Sequence, residues 1–284
     1  MFDASLRGCE GTGTAPFSKS EGTWLCVHDV FEGSGMQRRN YSVSMAMSVL
    51  AILALGGCGD KESGSVVTSE QATGETRTAK YITTDGWTIF GDLYEPTTAP
   101  KGVAIMLHQR GGSADDWAAL AKAIQKAGYT AFAIDQRGTG RSSTGPGQSG
   151  DHAPWDTKAD IDGAVFAMKD KGAVTLVGAS YGANNALLYA AYHPSMVRSL
   201  VLFSPSTDYN GLKTTDAVKK YTGPLLMFHQ KGDKIAGNGP LDLDKLSASK
   251  DHTLQLNDGT GHGTALLNPG TAQQTVDFIV RTLK

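Results

Sequence analysis

From residue 103 onward the chain alternates short, unbroken apolar runs with segments of helix length. The runs are VAIML at 103–107, TAFAI at 130–134, VTLV at 174–177, LVLF at 200–203 and LLMF at 225–228. A strand that is apolar on both faces has to be covered on both faces. A parallel sheet with crossover helices does this. Helices are predicted at 114–126, 159–169, 181–192 and 272–283, with a last strand at 253–256. The order is that of an α/β chain with a doubly wound, mostly parallel sheet. Upstream, 81–84 and 87–94 alternate apolar and polar residues around Asp85-Gly86, a hairpin signal. No internal repeat and no second domain is visible.

One junction carries chemistry. Gly178-Ala179-Ser180-Tyr181-Gly182 follows VTLV directly and opens a predicted helix. A serine on so sharp a strand-to-helix turn is lifted above the sheet edge. Side chains two residues to either side would strike the neighbouring strand and helix, hence glycine at both. The turn also sets Ser180 at a helix N-terminus, where developing negative charge is favoured. A serine hydroxyl needs a base to become a nucleophile. His262, in the glycine-rich stretch Asp258-Gly-Thr-Gly-His-Gly263 after the last strand, is the candidate. The acid that orients the imidazole is expected between the two. Asp233, just beyond the strand in Leu-Met-Phe-His-Gln-Lys-Gly-Asp, is favoured, with Asp208 as the alternative. An oxyanion hole needs two backbone N–H groups. They are assigned to Tyr181 and to Arg110, with Gln109 as the alternative to Arg110. His108, Gln109, Trp155 and Tyr209 are candidates for contact with substrate, and Trp117 and Tyr181 for lining its pocket.

These residues resemble the α/β-hydrolase superfamily over roughly 81–284. Asp135-Gln-Arg-Gly-Thr-Gly-Arg-Ser142 is similar to that family's loop after the fourth strand, which implies structural roles for Asp135, Arg137 and Gly138. The family often has His-Gly where this chain has His108-Gln109. The resemblance implies an α/β-hydrolase fold and a triad of Ser180, Asp233 and His262. Only residues 204–223 separate the sixth strand from the next, so a large cap domain is not expected. The implied activity is a carboxylesterase on small to medium acyl esters, through an acyl-serine intermediate. A peptidase or amidase on the same triad, or a non-catalytic binding lipoprotein, are the alternatives.

The N-terminal region reads as an address. The apolar run VSMAMSVLAILAL at 43–55 is too short to span a bilayer comfortably; Arg38 and Arg39 precede it and Gly56-Gly57-Cys58 follows. Leu55-Gly-Gly-Cys58 resembles a bacterial lipobox, which implies lipidation of Cys58, a membrane anchor on that cysteine and an exported protein, with the outer membrane slightly favoured. The expected divisions are an upstream extension not native to the protein (1–35), a signal peptide (36–57), a flexible tether (58–78) and the catalytic domain (79–284). A formal charge of -2 argues against a nucleic-acid surface. The cysteines, Cys9, Cys26 and Cys58, all precede residue 60, and neither C-x-x-C nor H-E-x-x-H occurs. No cofactor and no metal are implied. Oligomeric state is not readable.

Overall fold

The computed structural model describes residues 76–145, 148–149 and 156–284. The predicted signal peptide, Cys58, the tether up to residue 75 and Trp155 lie outside the described residues. The chain enters the sheet through a hairpin of β1 (Thr76–Ile82) and β2 (Thr88–Tyr94), with Ile82 opposite Thr88 across the Asp85-Gly86 turn. Then come β3 (Val103–Leu107), α1 (Ala118–Lys126) and β4 (Thr130–Ile134). A two-stranded excursion, β5 (Thr144–Gly145) and β6 (Gln148–Ser149), precedes α2 (Lys158–Ala167). Next are β7 (Val174–Ala179), α3 (Tyr181–Tyr192), β8 (Ser199–Phe203) and α4 (Thr215–Lys220). The chain closes with β9 (Leu225–Gln230), α5 (Gly239–Leu246), β10 (His252–Asn257) and α6 (Pro269–Thr282).

Eight strands form one sheet in the order β1-β2-β4-β3-β7-β8-β9-β10. β1 and β2 run antiparallel to their neighbours, and every pairing from β4 to β10 is parallel. The apolar runs of β3, β7, β8 and β9 are buried, as their composition requires. Alternate residues of each strand divide between two cores. Val103, Ile105, Leu107, Leu200 and Leu202 pack on one face with Ile161 of α2 and Leu187 of α3. Ala104, Met106, Val201 and Phe203 pack on the other with Leu120 of α1 and Ile279 of α6. The second core is centred on Phe203, stacked on Phe228 at 4.6 Å and edge-on to Trp117 at 5.8 Å. Burying each such ring stabilises by about 1.5–3 kcal/mol.

The predicted elements are all present, with shifted ends where local chemistry intervenes. The predicted 114–126 helix opens with a tight 3-10 turn, Ala114–Trp117, capped by the Ser113 side chain. The last helix starts three residues earlier than expected, because Asn268 and Thr271 form a capping box around Pro269. Between β8 and β9 the described chain holds one short helix, α4, and no large insertion. The Asp135–Ser142 loop ties the hairpin to the sheet. Arg137 donates its backbone N–H and Nε–H to Asp160 of α2 at 2.8 Å, and its guanidinium reaches Asp85 at 2.7 Å. Asp135 accepts the Ala114 N–H at 2.8 Å and the Arg141 Nε–H at 2.6 Å. Asp135 thus holds the backbone at Ala114, and Arg137 joins the carboxylates of Asp85 and Asp160.

Candidate active site

The sharp turn predicted at Ser180 is present. Its φ is 52° and ψ −120°, a conformation that side chains rarely adopt. The hydrogen bond from Ser180 N–H to the Phe203 carbonyl, 2.8 Å, pins this turn to the neighbouring strand. Both flanking glycines are required by close approach. A Cβ on Gly182 would sit 2.5 Å from the Leu107 carbonyl oxygen and 2.6 Å from that of His108; one on Gly178 would sit 2.5 Å from the Gly182 carbonyl oxygen. α3 therefore begins directly against the end of β3. Ser180 as a residue keeps 8% of its surface exposed.

Three segments converge at this edge of the sheet. Ser180 Oγ lies 2.7 Å from His262 Nε2, across 82 residues of sequence. His262 Nδ1 lies 3.0 and 2.9 Å from the two carboxylate oxygens of Asp233. Asp233 Oδ1 also accepts the backbone N–H groups of Ile235 and Ala236, at 3.0 and 3.1 Å. Burial pushes the Asp233 carboxyl up, but the hydrogen bonds from His262 and from the Ala236 backbone outweigh it and hold the group below the usual carboxylate range. An ionised Asp233 only accepts, so the imidazole carries its proton on Nδ1 and offers the Nε2 lone pair to the serine. Asp208 is elsewhere: exposed, and accepting the Gly211 N–H at 2.9 Å in its own turn.

The remaining candidates divide. Tyr181 opens α3, and Arg110 sits in the exposed loop after β3. Because β3 pairs with β7, Leu107 opposite Gly178, that loop lies at the same sheet edge as the serine turn. His108 is fully buried. Its Nδ1–H donates to the Gln109 carbonyl at 2.7 Å, and its Nε2 accepts the Gln136 N–H at 3.1 Å. Burial holds its pKa down, and both nitrogens are committed to the loop. The Gln109 side chain is engaged with the histidine loop, its Oε1 accepting the Thr264 N–H at 2.8 Å. Tyr209 is half-buried, its ring 6.3 Å from that of Tyr181. Trp117, weighed as a pocket residue, is fully buried in the core.

Sequence reasoning missed a second set of residues that holds the histidine loop. Gln230 Oε1 accepts the Gly261 N–H at 2.6 Å, just before His262. Ser204 Oγ accepts the Gly263 N–H at 3.0 Å, just after it. His229, buried on β9, stands beside the acid, its Nδ1 4.0 Å from Asp233 Oδ2, and burial holds its pKa down. Each occupies the last residues of a strand or the position just past it, which is the signal that could have flagged them. Among the described residues, no group of histidine, cysteine and carboxylate side chains could hold a metal ion.

The family described as alpha/beta hydrolase fold matches residues 103–221, from β3 to the end of α4. An esterase from Pyrococcus furiosus superposes with a TM-score of 0.61 at 15% identity, covering 78% of this chain and 100% of the other. The fold is the α/β-hydrolase fold. The same α/β-hydrolase likeness extends to a Butyrivibrio proteoclasticus protein solved with ferulic acid (TM-score 0.59, 18% identity, 70% of this chain and 97% of the other) and to an esterase domain from Rhodothermus marinus (0.59, 17%, 74% and 100%). At such identities the likeness is one of fold alone. An epoxide hydrolase from Caballeronia sordidicola is 31% identical over 124 residues, which is 39% of this chain and 37% of that relative. The chain thus spans well under half the length of this curated relative.

Proposed function

We propose that the chain is a serine hydrolase, a carboxylesterase cleaving small to medium acyl esters. The observation that carries this reading is the continuous line Ser180 Oγ, His262 Nε2 and Nδ1, Asp233, with links of 2.7 and 2.9 Å. His262 takes the serine proton as Oγ attacks the acyl carbon, and Asp233 stabilises the imidazolium. The tetrahedral oxyanion is met by N–H groups assigned to Tyr181 at the head of α3 and to Arg110. His262 then hands its proton to the departing alkoxide, leaving an acyl-serine. Water, activated by the same imidazole, releases the acid and restores Ser180. Ile235, two residues past Asp233, has 70% of its surface exposed and, with Tyr209, supplies apolar surface for an acyl or alkyl chain.

The 31% likeness to an epoxide hydrolase favours a second reading. Chemistry weighs against it here. Attack by Ser180 Oγ on an epoxide carbon would leave a dialkyl ether, which this triad has no means of hydrolysing. An acyl-serine is an ester and turns over.

The test is a fluorophosphonate probe and a chromogenic short-chain ester on native protein and Ser180→Ala. The expected result is one labelled serine, Ser180, and ester turnover lost with it. Equal rates in the two proteins would remove the enzymatic reading, and turnover of aminoacyl amides but not esters would favour a peptidase. Export and a lipid anchor on Cys58 belong to the same proposal. Labelled palmitate should enter the native protein and not Cys58→Ser.

A further inference from the structure

The end of β8 carries a residue that neither the triad nor the oxyanion assignment uses. Ser204 is buried, 1% exposed, and has φ 50°, in the left-handed region that disfavours any residue with a Cβ. Its backbone is locked there: Ser204 N–H donates to the Phe228 carbonyl at 2.9 Å, and the preceding carbonyl, of Phe203, accepts the Ser180 N–H at 2.8 Å. Glycine would fit this backbone without strain. A buried serine instead means that the hydroxyl offsets the strain.

The hydroxyl has a definite partner. It accepts the Gly263 N–H at 3.0 Å. A lone pair of the buried hydroxyl thus holds the residue next to the base. Gly263 has its own positive φ, 58°, and is pinned on its other side by the Gln109 bond to Thr264. The segment that carries His262 is thus fastened to the strand end beside which Ser180 turns.

We infer that Ser204 is a positioning residue for the proposed reaction: its hydroxyl fastens the backbone at Gly263, next to His262, and so sets the imidazole against Ser180. This role rests on the hydrolase reading above. It does not touch substrate. Without the hydroxyl, the Gly263 N–H loses its acceptor in a buried site where water does not readily replace it. The imidazole then samples orientations in which Nε2 no longer meets Oγ. Transition-state alignment suffers while ground-state binding does not, so kcat falls with little change in KM.

The experiment compares Ser204→Ala and Ser204→Gly with native protein. Three readouts are taken: ester kinetics, the fluorophosphonate labelling rate at Ser180, and the low-field proton resonance of His262 Nδ1–H. Both variants should lose roughly 10- to 100-fold in kcat and in labelling rate, with KM within about threefold, and the Nδ1–H resonance should broaden or move upfield. Ser204→Gly is the discriminating variant. It relieves the backbone strain, so its melting temperature should equal or exceed that of Ser204→Ala while its activity stays as low. A Ser204→Gly protein with native kcat, labelling rate and resonance would show a merely structural residue and overturn the inference. Native protein that takes no label at Ser180 would instead refute the hydrolase reading. The resonance needs no turnover, and its persistence unchanged in both variants would overturn the role of Ser204 even then.

Discussion

Asp233→Asn isolates the electrostatic part of the triad with little change in shape. Oδ1 of Asp233 accepts two backbone N–H groups, from Ile235 and Ala236 at 3.0 and 3.1 Å, which no rotation can turn into acceptors. The amide oxygen must therefore take the Oδ1 place. The amide nitrogen is left in the Oδ2 place, 2.9 Å from His262 Nδ1, where it can only donate and stands closer to Nδ1 than the amide oxygen does at 3.0 Å. The imidazole answers by moving its proton to Nε2, the atom 2.7 Å from Ser180 Oγ, and loses the lone pair that would take the serine proton. The imidazolium also loses its counter-charge. A substitution of this kind in a serine triad lowers kcat by about four orders of magnitude, equivalent to about 5.5 kcal/mol of transition-state stabilisation. Stability should change little, because the buried hydrogen-bond count is nearly kept. Steady-state hydrolysis of a chromogenic acetate ester measures the rate, and nitrogen-15 NMR of the imidazole reads the tautomer directly. A variant within tenfold of native kcat, or one whose proton remains on Nδ1, would refute the reasoning.

Gly182→Ala should fold poorly, since its Cβ meets backbone oxygens of Leu107 and His108 at 2.5 and 2.6 Å; a loss of about 2–3 kcal/mol is expected in chemical denaturation. Burial, opposed by Arg137, pushes the Asp160 carboxyl up to about 6. A folded value above the unfolded one gives stability that is present below about pH 4 and lost as pH rises through about 6. The native protein should therefore show that loss between pH 4 and 6 relative to Asp160→Asn, and parallel pH profiles would contradict it. Gln109→Ala removes the acceptor for Thr264 N–H and should lower kcat about fivefold, the worth of one hydrogen bond of about 1 kcal/mol.

The parts legible in the sequence are those governed by neighbours along the chain. Unbroken apolar runs such as 103–107 and 225–228 have to be buried on both faces, which dictates covered parallel strands. Gly178 and Gly182 around Ser180 announce a turn that no bulkier residues allow, and His262 and Asp233 stand immediately past strands in the order that such a sheet can fold back together. Helix ends followed the apolar pattern at α3, 181–192, but not at α6, where the Asn268 capping box starts the helix at Pro269; α5 was hidden by the glycines and proline of Gly237-Asn-Gly-Pro240. What the tertiary structure alone decided was partnership. Asp233 and Asp208 are equivalent as letters after strands, and only the return of the chain at Ile235 and Ala236 aims one of them at His262 while Asp208 closes a local turn. Ser204, Gln230 and the side chain of Gln109 are ordinary polar residues in sequence. They hold the histidine loop because strands far apart along the chain end at one edge of the sheet, and hydrogen bonds form between atoms brought near in space, whatever their separation in the chain.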